Sequence, residues 1–181
     1  MYDKSFALGI QGAAMETTID TVLKETRVFD VPSEFAKQAN LTAAEYEKIW
    51  TESQKNPVAF WEKAAENIHW FQKWEKTLEW NEPFSKWFVG GKTNAAYNCL
   101  DRHLPSHKNK LALIWEGEDG SVVRLTYGEL HEKVCRLANA LEKNLGLVAG
   151  DTAAIYMPLV PEAVITMLAC ARVGVTHSVI F

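Results

Sequence analysis

Residues 150–181 read GDTAAIYMPLVPEAVITMLACARVGVTHSVIF, and the fold class rests on how this stretch divides. DTAAIYM (151–157) is a short apolar run of strand length. PEAVITMLACARV (161–173) has helical length, with Pro161 suited to a first helical turn and Gly174 to a C-terminal cap. THSVIF (176–181) returns to β-branched and aromatic residues. Strand, helix and strand within about 30 residues form a βαβ unit, which implies parallel strands. The helix is apolar on most faces and is expected to be buried on more than one side. Parallel sheets are covered on both faces and built of several strands. Two strands do not complete one, so more strands are expected after residue 181. Without them, helix 161–173 and its flanking strands should present an apolar patch and weaken the isolated chain.

Working back from this unit, Thr126 and Glu129 form a capping box. Apolar residues follow at Leu130, Val134, Leu137, Ala138, Leu141 and Leu145, an amphipathic helix of about five turns ending near Gly146. Before it, NKLALIWEGE and VVRL read as strands joined at Asp119-Gly120, a strong hairpin signal. The alternating pattern is taken to begin near residue 95. Residues 61–94 carry five tryptophans (Trp61, Trp70, Trp74, Trp80 and Trp87) without a clear period, and read as an irregular segment anchored by its aromatics. Further back, Pro57 fits the first turn of a helix PVAFWEKAAENI. Thr42 and Glu45 box the start of AAEYEKIWTESQK, and Ser33 is placed as the cap of SEFAKQA. Residues 1–30 form a weakly patterned extension, in which Met15 offers an alternative start.

Composition sets outer limits. The chain has 181 residues, 48% hydrophobic and 23% charged, with a net charge of −4; that suits a globular protein and argues against nucleic acid or an anionic membrane as main partner. Cys99, Cys135 and Cys170 are odd in number and far apart, and read as reduced thiols of a cytoplasmic protein. The most apolar long window, 157–175, contains Pro158, Pro161, Glu162 and Arg172, which disfavours a membrane span.

Each motif that suggests chemistry has a plainer reading. GGKT (90–93) lacks the earlier glycine of a phosphate-binding loop, because position 86 is Lys86. His131 and Cys135 stand four apart in HEKVC, but a metalloprotease helix needs histidine at both places. His103 and His107 are also four apart, with Pro105 expected to break the helix that would align them. Glu116, Glu118 and Asp119 fall at a hairpin tip and read as a solvated turn. The tryptophan-rich segment has as many acids as bases, so it lacks the positive charge of a single-strand binder. No catalytic or metal-binding constellation emerges from the residues alone.

Several stretches nonetheless resemble the acetyl-CoA synthetase family, the AMP-forming acetate–CoA ligases of the adenylate-forming superfamily. They are NPVAFWEKAAENIHWFQKWEKTLEW, FSKWFVGGKTNAAYNCLDRHL, ALIWEGEDG, LTYGELHEKVCRLANAL and the 150–181 stretch. The resemblance implies a fold in which a helical and aromatic-rich N-terminal region (31–94) precedes the first βαβ part of an incomplete adenylate-forming domain (95–181). It also implies a two-step reaction. Acetate attacks the α-phosphate of ATP to give acetyl-adenylate and pyrophosphate, and the thiol of CoA then takes the acetyl group and releases AMP. The partners implied are acetate, ATP with Mg²⁺, and CoA.

The family's phosphate loop, nucleotide-binding acid and catalytic lysine lie beyond residue 181, so no catalytic or metal residue is assigned and the chain alone is expected to be inactive. One position carries over: Phe181, ending the HSVIF stretch, corresponds to the residue that meets the adenine of CoA. Thr93 departs from the leucine expected in GGK-x-N. Two alternatives remain, a propionyl-CoA synthetase fragment and a truncated product kept as a non-enzymatic binding module.

Overall fold

The computed structural model describes residues 27–180. Met15, all but the end of the 1–30 extension, and Phe181 lie outside them. The chain divides into two units, Met1–Lys48 and Ile49–Phe181, and the division falls within a helix.

In the first unit, α1 (Ser33–Lys37) is a short exposed helix. Ser33 does not cap it: Pro32 occupies the N-cap and no side chain bonds the free amides. The next box forms as expected. Thr42 Oγ1 accepts from the Glu45 amide at 3.3 Å, and Glu45 Oε2 accepts from the Thr42 amide at 2.8 Å. It opens α2 (Ala43–Lys55).

In the second unit, α3 (Pro57–Ala65) begins with Pro57, where a missing N–H costs nothing, and Asn56 Oδ1 accepts from the Ala59 amide. The tryptophan-rich segment is more regular than its sequence suggests. β1 (Lys76–Asn81) and β2 (Phe84–Val89) pair as an antiparallel hairpin, with Leu78 opposite Trp87 and Trp80 opposite Ser85. Trp70, Trp74 and Phe88 meet at ring-centre distances of 4.9–5.3 Å, and Trp74 is buried with its indole N–H donated to Thr77 Oγ1. The segment therefore builds a small core of its own.

The strand pattern begins later than expected, since residues 95–107 are helical. α4 (Ala95–Cys99), a 3₁₀ turn (Asp101–His103) and α5 (Leu104–His107) precede the hairpin of β3 (Leu111–Glu116) and β4 (Val122–Thr126). The capping box of Thr126 and Glu129 then opens α6 (Tyr127–Lys143), which buries Leu130, Val134 and Ala138. β5 (Thr152–Tyr156), α7 (Pro161–Val173) and β6 (Thr176–Ile180) form the expected βαβ unit, with β5 parallel to β6 and Tyr156 opposite Ile180.

Helix α7 is buried on two sides. Ile165 and Ala169 join Leu100, Leu125, Leu130, Val134 and Ala138 in one core, while Cys170 packs with Ile155 and Val175 in another. Gly174 ends the helix at φ +80°, and a Cβ there would come within 2.9 Å of the Ala149 Cβ. At the other end of the unit Tyr156, Leu159 and Ile180 are exposed, so the expected apolar patch lies on the strands and the loop between them. Along the helix only Glu162 is exposed, while Val164, Met167 and Leu168 are half-buried. No described helix is long and apolar enough to cross a membrane.

Candidate functional site

In open α/β sheets ligands bind outside the carboxyl ends of the strands. Here that edge is formed by Tyr156, Ile180 and the loop Met157–Val160. Trp115 on β3 donates its indole N–H to the Leu159 carbonyl at 2.6 Å and pins the loop to the hairpin. Between them lies a cleft of about 310 Å³, lined by Leu113, Ile114, Trp115, Met157, Val164 and Val179 among others. Phe181, the position expected to meet the adenine of CoA, follows Ile180 in sequence and lies outside the described residues.

This edge does not fit the phosphates of a nucleotide. A phosphate site uses glycines for close approach and free amides at a helix N-terminus. The loop contains no glycine, Pro161 has no amide to offer, and Glu162 adds negative charge to the first turn of α7. GGKT does not supply the cradle either, because a Cβ on Gly91 would meet the Trp70 ring at 2.7 Å. That glycine serves indole packing. Nor do three or more His, Cys, Asp or Glu side chains converge as a metal cluster among the described residues. Glu116 ends β3 opposite Val122, while Glu118 and Asp119 sit in the β3–β4 turn, where Asp119 accepts from the Ser121 amide and hydroxyl.

The most organised polar group lies at the other end of α7. Arg172 donates two hydrogen bonds to Asp101, each of 2.7 Å, with both side chains largely buried. His131 Nε2 stands 3.1 Å from Asp101 Oδ1, and Cys135 Sγ lies 3.5 Å from the same ring nitrogen. The Arg172 guanidinium holds the Asp101 carboxyl below the usual carboxylate range; burial opposes this, and His131 adds to it. Asp101 in turn raises Arg172. Beside this group, Asn94 acts at both ends of its amide. Its Oδ1 accepts from the Tyr97 amide and caps α4, while its Nδ2 donates to the Ala171 and Arg172 carbonyls at the end of α7.

These contacts join residues 71–78 positions apart, and no local motif announces them. The pairing of His131 with Cys135 was visible as a helical spacing. The structure gives it a partner, Asp101, whose carboxylate is also held by Arg172. The His103–His107 pair turns out differently from expectation. Pro105 falls in the first turn of α5, where it is tolerated, and the two rings lie 6.1 Å apart. All three cysteines are free; burial pushes the Cys170 thiol up.

The family described as acetyl-coenzyme A synthetase N-terminus matches residues 46–99, and the family of AMP-binding enzymes matches residues 100–181. An acetyl-coenzyme A synthetase of Chlorobaculum tepidum is 52% identical over 166 residues, which is 91% of this chain and 25% of the relative. Over most of its length the chain is similar to acetyl-coenzyme A synthetases. The corresponding synthetase of Deinococcus radiodurans is 51% identical over 164 residues, again 25% of its length. An acetoacetyl-CoA synthetase structure from Streptomyces lividans superposes with a TM-score of 0.65 at 28% identity, covering 70% of this chain and 20% of that one. The chain therefore spans about a quarter of the length of the curated synthetases it matches. The two family matches meet between Cys99 and Leu100. Asn94 and its bonds to the end of α7 cross that boundary within one packed body.

Proposed function

We propose that this chain serves as the N-terminal portion of an acetate-activating ligase, the enzyme that converts acetate, ATP and CoA to acetyl-CoA, AMP and pyrophosphate through acetyl-adenylate. Residues 31–94 are its N-terminal region and 95–181 the opening of its adenylate-forming domain. The observation that carries this reading is the 52% identity to an acetyl-coenzyme A synthetase, sustained over 166 residues and across both family matches.

In that enzyme ATP supplies the activated phosphoryl centre, Mg²⁺ neutralises its charge, and CoA supplies the accepting thiol. Residues 27–180 contribute scaffold rather than chemistry. The cores around α7 hold β5 and β6 parallel, and β6 leads directly to Phe181, which we assign to the adenine of CoA. Cytoplasmic action fits the three free thiols.

Two assays of acetate-dependent ATP–pyrophosphate exchange test the reading. The 181-residue chain alone should give no exchange, because its described residues build no cradle for the phosphates of ATP. The same residues fused to the remaining three quarters of the Chlorobaculum tepidum synthetase should restore exchange. Appreciable turnover by the chain alone, or a folded but inactive fusion, overturns the proposal.

A further inference from the structure

The sequence sets His103 and His107 four residues apart, and the structure brings their rings together although Pro105 stands between them. His103 closes the 3₁₀ turn, and its backbone (φ −94°, ψ −14°) continues helically into α5. The ring centres lie 6.1 Å apart, and both rings lie against Tyr127, at 5.7 and 6.2 Å. Tyr127 is itself fixed: its amide donates to the Lys110 carbonyl, and the next amide, of Gly128, donates to the Lys108 carbonyl. The turn and the start of α6 are thus tied together beneath the two imidazoles. The Ser106 hydroxyl lies 2.7 Å from His107 Nδ1, which leaves Nε2 as the ring nitrogen without a hydrogen bond among the described residues. Both histidines are half-buried and reachable from solvent.

We propose that His103 and His107 form a two-imidazole site for a borderline first-row dication such as Ni²⁺, Cu²⁺ or Zn²⁺. Neutral imidazole suits these ions, and metal-bound histidine commonly has its second ring nitrogen held by a neighbouring polar group, the part Ser106 plays here. With metal–nitrogen bonds of about 2.0–2.1 Å, two rings on one ion have centres roughly 4.5–5.2 Å apart at coordination angles of about 90–110°. The observed pair closes to that spacing by moving about 1 Å, within the reach of side-chain torsions. Water completes the coordination sphere. The Lys108 side chain lies along Gly128, and its charge favours modest affinity over a tight structural site. Neither histidine takes part in the scaffold assigned to the synthetase reading, so the site stands independently of it.

The test is calorimetric titration of the intact 181-residue chain with NiCl₂ in a non-chelating buffer, alongside the variants His103→Ala, His107→Ala and His177→Ala. The expected result is one equivalent of Ni²⁺ bound by the wild type and at least a tenfold loss of affinity in either site variant. His177→Ala should bind as the wild type does. A second measurement needs no substitution: sub-stoichiometric Ni²⁺ should broaden the ring signals of Tyr127, His103 and His107 before those of His69, His131 and His177. Wild-type affinity in both site variants, absence of binding, or broadening centred on another histidine overturns the proposal.

Discussion

Replacing Asp101 with asparagine tests the structural role of the polar group at the end of α7. The amide keeps the shape of the carboxylate but removes its charge, and it faces one donor-bearing guanidinium with only one acceptor oxygen. Two short charged hydrogen bonds from Arg172 are at stake, between side chains 17% and 28% exposed. Hydrogen bonds to charged groups contribute about 1.5–3 kcal/mol each, and losing one member of a fully buried pair costs about 3–5 kcal/mol. Residual exposure lets water solvate the orphaned Arg172, which brings the expected loss to about 2–3 kcal/mol.

Urea unfolding followed by tryptophan fluorescence reads this directly. With an m value of about 2 kcal/mol/M the midpoint should fall by roughly 1–1.5 M. Arg172→Met in the same background should add little, because the two changes remove one interaction. The pH dependence has a definite sign. Asp101 has a lowered pKa in the folded state, so its contribution is fully present above the unfolded carboxylate value of about 3.9 and is lost as pH falls through the folded value. The gap between wild type and Asp101→Asn should be widest near neutrality and shrink below about pH 4. A loss under about 0.5 kcal/mol at pH 7, or a gap that does not narrow in acid, refutes the reasoning.

Other perturbations have equally specific outcomes. Leu100→Ala empties a nearly fully buried core position and should cost about 2–4 kcal/mol by the same urea assay. Gly174→Ala forces a side chain onto left-handed backbone and against Ala149, and should lower stability by about 1–2 kcal/mol in thermal unfolding. Trp115→Phe removes the bond to the Leu159 carbonyl; amide exchange at Leu159 and Val160 should accelerate, while α6 keeps its protection. A thiol reagent should label exposed Cys99 first and Cys135 more slowly, with Cys170 reacting only on unfolding.

What was legible in the sequence was local. The two capping boxes and the Asp119-Gly120 hairpin are each specified by residues within a few positions of one another, the βαβ unit by consecutive segments within about 30 residues, and each appears in the structure. The β1–β2 hairpin escaped because Pro83 reads as a breaker and aromatics occupy both faces, which hides the period of two. The helices at 95–107 escaped for a related reason. They are short, broken by a 3₁₀ turn, and held by partners distant in sequence. Asp101 and Asn94 belong to the same class, since their importance depends on Ala171 and Arg172. The family was legible because long identical stretches carry more information than any single motif. The chemistry was not: the polar side chains that do converge among the described residues, Asp101, His131 and Arg172, meet only through the fold.

The double use of Asn94 bears on how this protein can be taken apart. The peptide bond between residues 99 and 100 is where two family descriptions meet, and a map of domains would invite a cut there. Yet one amide a few residues earlier both starts α4 and finishes α7. A piece beginning at residue 100 would keep the whole AMP-binding match while leaving the Ala171 and Arg172 carbonyls without their donor. A working excision has to begin upstream of Asn94, at a joint chosen by hydrogen bonding rather than by homology.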